Sequence, residues 1–347
     1  MLDGITNNSK IYIFCPANLI TGGAELLHQL ADFLSKLNKT AFIVYFKNTE
    51  IITCDIPEAY KKYNIKTVSD IEYSKENVYI FPETAVFFLR DFNTGIRMIW
   101  WLSVDNYYLA KNSTIIEYYN FIYRNIFKSI LFVTKSIIGD ILKHREHPNF
   151  KNCKLKKIDK TIIHLYQSEY AKDFLSKKGI SKLYPLKDYI NDDYFENNIK
   201  KIKKDTILYN PKKGFSFTKK LIAAAPELSW LPIQNMSRQQ VKEAMLESKL
   251  YIDFGNHPGM DRIPREAALC GCCIITGKNG SARYHTDVPI PVSYKFSQSN
   301  NNIKKIVRMI HATLDNFDKV SHDFDLYRNI ISNQKADFAE EVKYIFN

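Results

Sequence analysis

The sequence predicts an α/β protein in which parallel strands are covered by helices, arranged as two domains. Short apolar runs of the kind buried in a parallel sheet alternate with amphipathic helical segments from residue 11 onward. A polar, lysine-rich stretch at 191–204 interrupts the alternation, and a second alternating run begins at Thr206. The length of 347 residues also exceeds what one hydrophobic core usually serves.

The first strand is Ile11-Tyr12-Ile13-Phe14-Cys15-Pro16, followed by a loop at 17–23. Residues 24–37 form a helix, because Leu26, Leu27, Leu30, Phe33, Leu34 and Leu37 recur at helical spacing, and 40–46 is the next strand. Further strands are expected at 77–81, 97–102, 129–134 and 161–165, with a helical segment at 113–127. Ser168 caps a helix that runs to 178, where Gly179 stops it. The second run opens with Thr206-Ile207-Leu208-Tyr209-Asn210 and continues with a glycine loop at 211–214, a helix near 217–225 and a strand near 230–233. Ser237 followed by Gln240 is a capping-box pattern that starts a helix reaching 248. Residues 251–275 read as strand, loop, short helix and strand; the chain then turns polar after Pro291 and ends in helices at 302–316 and 324–345. The expected division is therefore a first domain at 1–190, a linker at 191–204, a second domain at 205–325 and a C-terminal helix at 326–347.

The composition, 45% hydrophobic and 25% charged, is that of an ordinary soluble globular protein. A formal net charge of +12 favours anionic partners, although the run Lys200-Lys201-Ile202-Lys203-Lys204 reads as a solvated face or linker. No nucleic-acid motif is recognised, so no nucleic-acid partner is expected. No stretch approaches the ~20 apolar residues of a membrane span, since even 122–133 is interrupted by Arg124 and Lys128. The N-terminus lacks a basic region followed by an apolar core, so it does not read as a secretory signal, and a cytoplasmic location is the expectation. Cys15, Cys54, Cys153, Cys270, Cys272 and Cys273 are not spaced as a disulfide framework or a zinc site, so reduced thiols are expected, with the group around Gly271 buried as small residues. Trp100 and Trp101 alternate across a strand, so one should face the core and the other the opposite side.

Three loops carry the chemistry. In Thr21-Gly22-Gly23-Ala24-Glu25 the glycine pair lets backbone amides approach a phosphate or sugar at the positive end of a helix, or serves only a tight turn. Lys213-Gly214 follows the first strand of the second domain. The segment from Tyr251 to Ile275 packs polar and charged residues into a loop and first helical turn, where free N–H groups would meet a phosphate-bearing ligand, and its Glu266-Ala267-Ala268-Leu269-Cys270-Gly271 precedes an apolar strand. A glycine pair with a following glutamate, a Lys-Gly pair and this ending, in this order over residues 11–290, resemble the retaining glycosyltransferases of family four.

The resemblance implies the GT-B architecture, two Rossmann-like domains facing across a cleft with C-terminal helices returning to the first, and a nucleotide-diphosphate sugar held mainly by the second domain. It places Gly22 and Gly23 against the donor or the reacting sugar, Lys213 on the diphosphate and Glu266 on the ribose hydroxyls. An ammonium supplies point charge, and a carboxylate accepts from two adjacent hydroxyls. No metal and no cofactor beyond the donor substrate is expected.

The departures lie at the sugar end. The family's other glutamate, eight positions before Glu266, is Pro258 here, with Asp261 the nearest substitute. Where many members present a histidine, the strand ending Met98-Ile99-Trp100-Trp101-Leu102 offers Ser103 and Asp105. Where members place an arginine before the Lys-Gly pair, Asn210 and Lys212 stand instead; Arg262 and Arg265 flank the loop from the other side and could make charge-assisted contacts to phosphate. Arg262 could equally pair with Asp261 on the surface, and Asp261 could be the helix N-cap. His257, Gly259 and Ser281 complete the donor-side candidates, His257 through a sugar hydroxyl and Ser281 through the turn after the next strand.

The sequence thus predicts a glycosyltransferase that moves a sugar to a glycan or lipid-linked acceptor, with peripheral contact at the inner face of the membrane as the companion expectation. Its rivals are a non-catalytic glycosyltransferase-like subunit that binds a partner or glycan, and a sugar-nucleotide epimerase of the same architecture, which would need acid/base groups in the cleft.

Overall fold

A computed structural model describes residues 2, 4–109, 161–195 and 201–347. The expected helix at 113–127, the expected strand at 129–134 and Cys153 lie outside the described residues. By internal contacts the chain divides into two units, residues 1–187 with 338–347, and residues 188–337.

The first unit contains β1 (Lys10–Pro16), α1 (Gly22–Lys36), β2 (Thr40–Lys47), β3 (Glu50–Ile51), β4 (Lys66–Thr67), β5 (Val78–Pro82), β6 (Ile96–Trp101), α2 (Val104–Leu109), β7 (Ile163–Tyr166), α3 (Glu169–Lys177) and β8 (Leu183–Pro185). Its sheet runs β3-β2-β1-β5-β6-β7-β8, with β4 paired to β2, and among the described strands only β3 is antiparallel to its neighbour. Strand order reverses between β1 and β5, because β2 lies on one side of β1 and the later strands on the other. Ile11, Ile13 and Phe14 are fully buried in β1, as are Val78 to Phe81 in β5, which is why these strands read as continuous apolar runs. Ser168 accepts from the Ala171 N–H to start α3, and Gly179 follows its end with φ 78°.

Trp100 and Trp101 point to opposite faces of β6, as the alternation predicts, and both are fully buried because each face is covered. The indole of Trp101 donates to His164 Nδ1 at 3.0 Å among Tyr107 and Phe174, while Trp100 donates to the Leu186 carbonyl at 2.9 Å and stacks on Phe338. Phe338, which belongs to this unit although it lies in the last helix, packs against both Trp100 and Phe33 of α1.

The second unit contains β9 (Lys204–Tyr209), α4 (Phe215–Ala224), β10 (Ser229–Pro232), α5 (Arg238–Glu247), β11 (Ser248–Asp253), α6 (Arg262–Leu269), β12 (Cys273–Thr276) and α7 (Ile303–Asp315), and the last helix, α8 (Asp325–Phe346), begins in it. Its four strands are all parallel in the order β10-β9-β11-β12. The Ser237–Gln240 capping box is formed in full at the start of α5. Cys270, Cys272 and Cys273 are free and buried in the core. The ammonium of Lys203 is not solvated like those of Lys201 and Lys204: it donates to the carbonyls of Met245, Ser248 and Cys270 at 2.7–2.9 Å, satisfying the C-terminal ends of α5 and α6. Among the described residues no helix is long and apolar enough to cross a membrane.

Candidate functional site

In the second unit β9 starts the sheet, β10 lies on one side of it and β11 on the other, so strand order reverses between β9 and β11. An open parallel sheet forms its binding crevice beyond the carboxyl ends of two such strands. The loops that leave β9, β11 and β12 at that end carry Lys213, His257 with Asp261, and Ser281.

The β9 loop is folded by Asn210, whose side-chain oxygen accepts from the Lys212 N–H at 2.9 Å and whose carbonyl accepts from the Lys213 N–H at 3.1 Å. Lys212 is exposed. Gly214 has φ +62°, and a Cβ on it would stand 2.2 Å from the Phe254 carbonyl oxygen, so only glycine lets this loop press against the β11 loop. The reverse contact is as close, with a Cβ on Gly255 falling 2.7 Å from Lys213 Cβ. Lys213 is thereby fixed at its root while its side chain stays one-third exposed.

Asp253 ends β11 as a buried carboxylate. Its Oδ1 accepts from the Gly255 N–H at 2.8 Å and its Oδ2 from the Tyr251 hydroxyl at 2.9 Å. His257 is fully buried, with Nε2 at 3.5 Å from Asp253 Oδ1 and Nδ1 at 3.3 Å from Asp261 Oδ2. Neither ring nitrogen reaches a partner at hydrogen-bond geometry. Asp261 Oδ2 also accepts from the Lys213 ammonium at 2.8 Å. Asp261 stands at the N-cap position of α6, yet its side chain makes no capping bond because it turns to Lys213 instead.

Burial alone would raise the pKa of Asp253, but His257, Lys213 and the Gly255 N–H hold it down at about 2. Burial would lower that of His257, and the charges of Asp253 and Asp261 outweigh it and raise it above the ordinary histidine value. Ligand atoms of Asp253, His257 and Asp261 lie within 4.8 Å of one another, a spacing open to a cation. Lys213 already places a cation on Asp261, and the two carboxylates face different nitrogens of one ring, a poor arrangement for a single ion.

The β12 loop braces this turn from the other side. The Ser281 N–H donates to the His257 carbonyl at 2.8 Å, and its hydroxyl donates to the Gly259 carbonyl at 2.6 Å. Gly280 has φ +58°, and a Cβ there would fall 1.9 Å from the His257 carbonyl oxygen. The Lys295 ammonium donates to the Ala282 carbonyl at 2.9 Å, and burial lowers its pKa to about 8.

The two arginines are engaged by the protein. Arg265 is buried and donates to Asp188 at 2.6 Å, to the Met260 and Asp261 carbonyls and to Gln334. Arg262 makes a two-pronged pair with the same Asp188, not with Asp261. Glu266, half-buried one turn into α6, stands beside Tyr194, where burial and the Glu266 charge push the phenol above its ordinary pKa.

In the first unit Gly22 and Gly23 open α1 in helical conformation, with the Thr21 hydroxyl accepting from the Ala24 N–H at 3.3 Å. A Cβ on Gly23 would meet Leu102 at an ordinary 3.6 Å, so neither backbone angle nor crowding in the protein demands glycine there. Ser103 accepts from the Asn106 N–H at 3.2 Å, and Asp105 is buried and accepts from the Tyr170 hydroxyl at 3.2 Å. Glu83, directly after β5, accepts from the Leu102 N–H at 2.9 Å, and burial pushes its carboxyl up to about 7.

The structure thus brings Asn210, Lys213, His257, Gly259, Asp261 and Ser281 together at one end of the second sheet, and Gly23 beside Leu102, next to Ser103, at the same end of the first. Sequence reasoning missed Asp253, Glu83, Asp188 and Tyr194. For Asp253 and Glu83 a signal existed: each is a carboxylate closing an apolar strand, a position where a buried charge needs a partner.

No protein-family model and no curated protein sequence matches the chain. Solved structures do match in fold. HepE from Anabaena, solved with UDP-glucose, is similar at 10% identity and a TM-score of 0.58, over 97% of this chain and 98% of that one. A glycosyltransferase from Rickettsia africae is similar at 13% identity and a TM-score of 0.56, over 97% and 99%. TarM of S. aureus matches at 12% identity and a TM-score of 0.50 over 80% of this chain, which spans 56% of that longer protein. At these identities the likeness establishes the fold, two Rossmann-like α/β units of the GT-B class.

Proposed function

We propose that the chain is a glycosyltransferase that moves a sugar from a nucleotide-diphosphate sugar to a glycan or lipid-linked acceptor, with retention and without a dedicated metal. The observation that carries this reading is the Lys213 ammonium at the switch point of the second sheet, rooted by Gly214 and held by one exchangeable carboxylate, Asp261. There it neutralises charge on the departing diphosphate, the step at which electrostatic stabilisation counts most. Glu266 accepts from the ribose hydroxyls, and Asp261 stands in toward the sugar for the carboxylate that Pro258 displaces. Asn210 and Ser281 shape the loops, and Arg262 and Arg265 fix the start of α6 through Asp188. The first unit receives the acceptor. The fold supports the reading, since HepE of the same fold was solved with UDP-glucose.

The test is donor hydrolysis and transfer with a panel of nucleotide sugars, comparing wild type with Lys213→Ala and Glu266→Ala. Each variant should lose about 10²-fold or more in kcat/KM, the scale of one electrostatic contact at a transition state. Full activity in both would remove the assignments.

A further inference from the structure

The proposed chemistry employs Lys213 and Asp261 but leaves unexplained the two groups buried behind them. His257 lies between two carboxylates, one opposite each ring nitrogen, at 3.5 Å from Asp253 and 3.3 Å from Asp261. A neutral imidazole has one N–H and one lone pair, so in that form its lone pair would point at an anion. Only the doubly protonated ring offers a donor to both. With it, the charges of Asp253 and Asp261 are balanced by those of His257 and Lys213, which is what a cluster this deeply buried requires.

Lys213 is the most exposed member of the four. Its side chain is one-third exposed, while that of Asp261 is 13% exposed and that of His257 1%. Should Lys213 turn to a phosphate, Asp261 would be left nearly buried with no cation, unless another one stays. His257 is built to stay: its carbonyl is held by the Ser281 N–H at 2.8 Å, and Pro258 restricts its backbone from the next position.

We infer that His257 is a positioning residue for Lys213, its imidazolium keeping hold of Asp261 when the Lys213 ammonium leaves that carboxylate for an anionic diphosphate. This rests on the reading that Lys213 meets the donor diphosphate. The charged groups acting on the ring are Asp253 from the end of β11, Asp261 from the loop before α6 and Lys213 from the β9 loop; the two carboxylates favour its charged form, and burial and Lys213 oppose it. The balance raises the histidine pKa, so the charged ring dominates below that raised value and is lost as pH rises through it. Above it, Lys213 alone neutralises Asp261 and is held back from the ligand.

The test uses the full chain and inorganic pyrophosphate, with titration calorimetry from about pH 6 to 9 on wild type, His257→Gln and Lys213→Ala, and ¹⁵N-histidine spectra of the wild type. The ring should be doubly protonated at about pH 7, and His257→Gln should weaken pyrophosphate binding about tenfold there, with the gap closing as pH rises. A neutral ring at pH 7 overturns the inference even if the variant fails to fold. So does wild-type affinity and pH profile in His257→Gln while Lys213→Ala loses binding. Pyrophosphate binding that is undiminished in Lys213→Ala, or absent from wild type, instead removes the diphosphate reading and the inference with it.

Discussion

Asp253 and Glu83 each close a central strand as a buried carboxylate, and their surroundings drive them in opposite directions. At Glu83 burial outweighs the Leu102 N–H and lifts the carboxyl to about 7, whereas at Asp253 the cations of His257 and Lys213 overcome burial and hold it at about 2. The signs of the pH dependence follow. Asp253 contributes stability that is present above the unfolded value, ~3.9, and is lost as pH falls toward the folded one. Glu83 does the reverse: the unfolded chain ionises at ~4.3 and the folded one resists until near neutrality, so its contribution declines as pH rises through that interval. Asp253→Asn, which removes the anion that faces His257 Nε2 and accepts from Tyr251 and Gly255, should cost about 3 kcal/mol at neutral pH in denaturant unfolding. Glu83→Gln should raise the melting temperature by a few degrees at pH 8 and change it little at pH 5. A drop at pH 8 would show that the Glu83 carboxylate is needed in its charged form.

At the scale of elements, the site exists because three loops touch at points that admit no side chain. Gly214→Ala would force a left-handed alanine and a Cβ 2.2 Å from the Phe254 carbonyl, and Gly280→Ala a Cβ 1.9 Å from that of His257. Each should cost about 3 kcal/mol or more in chemical denaturation, and unchanged stability in either would contradict the packing described. Ser237→Ala, which removes only the capping box, should cost about 1 kcal/mol. The elements were legible where the signal is local: Ser168 and Ser237 start helices, Gly179 ends one, and the leucines of α1 share a face. Long-range pairing was not. Asp188 meets Arg265 across 77 residues and Asp261 meets Lys213 across 48, so a sequence read by neighbourhood assigns Asp261 a capping bond and Arg262 an Asp261 partner that neither makes. Nor does local sequence reveal that Phe338, far away in the chain, covers Trp100.

At the scale of the molecule, the order of a glycine pair, a Lys-Gly pair and a Glu-Ala ending was enough to indicate the GT-B fold, although sequence identity to the solved structures is 10–13%. The glycine pair and the Lys-Gly pair lie in the connections that follow β1 and β9, and Glu266 lies one turn into the helix that follows β11, so each motif belongs to a connection leaving the carboxyl end of a parallel strand. The sugar end was less legible: Pro258 removes the expected carboxylate, and Asp253, Asp261 and His257 form a charge cluster that no short pattern foretells. On the proposed reading this end of the second unit holds a nucleoside diphosphate through Lys213 and Glu266, and titration calorimetry of the chain against uridine, guanosine, cytidine and thymidine diphosphates decides it. One of the four should bind the wild type and lose about tenfold or more in affinity in both Lys213→Ala and Glu266→Ala; binding of none, or equal binding in both variants, would contradict it.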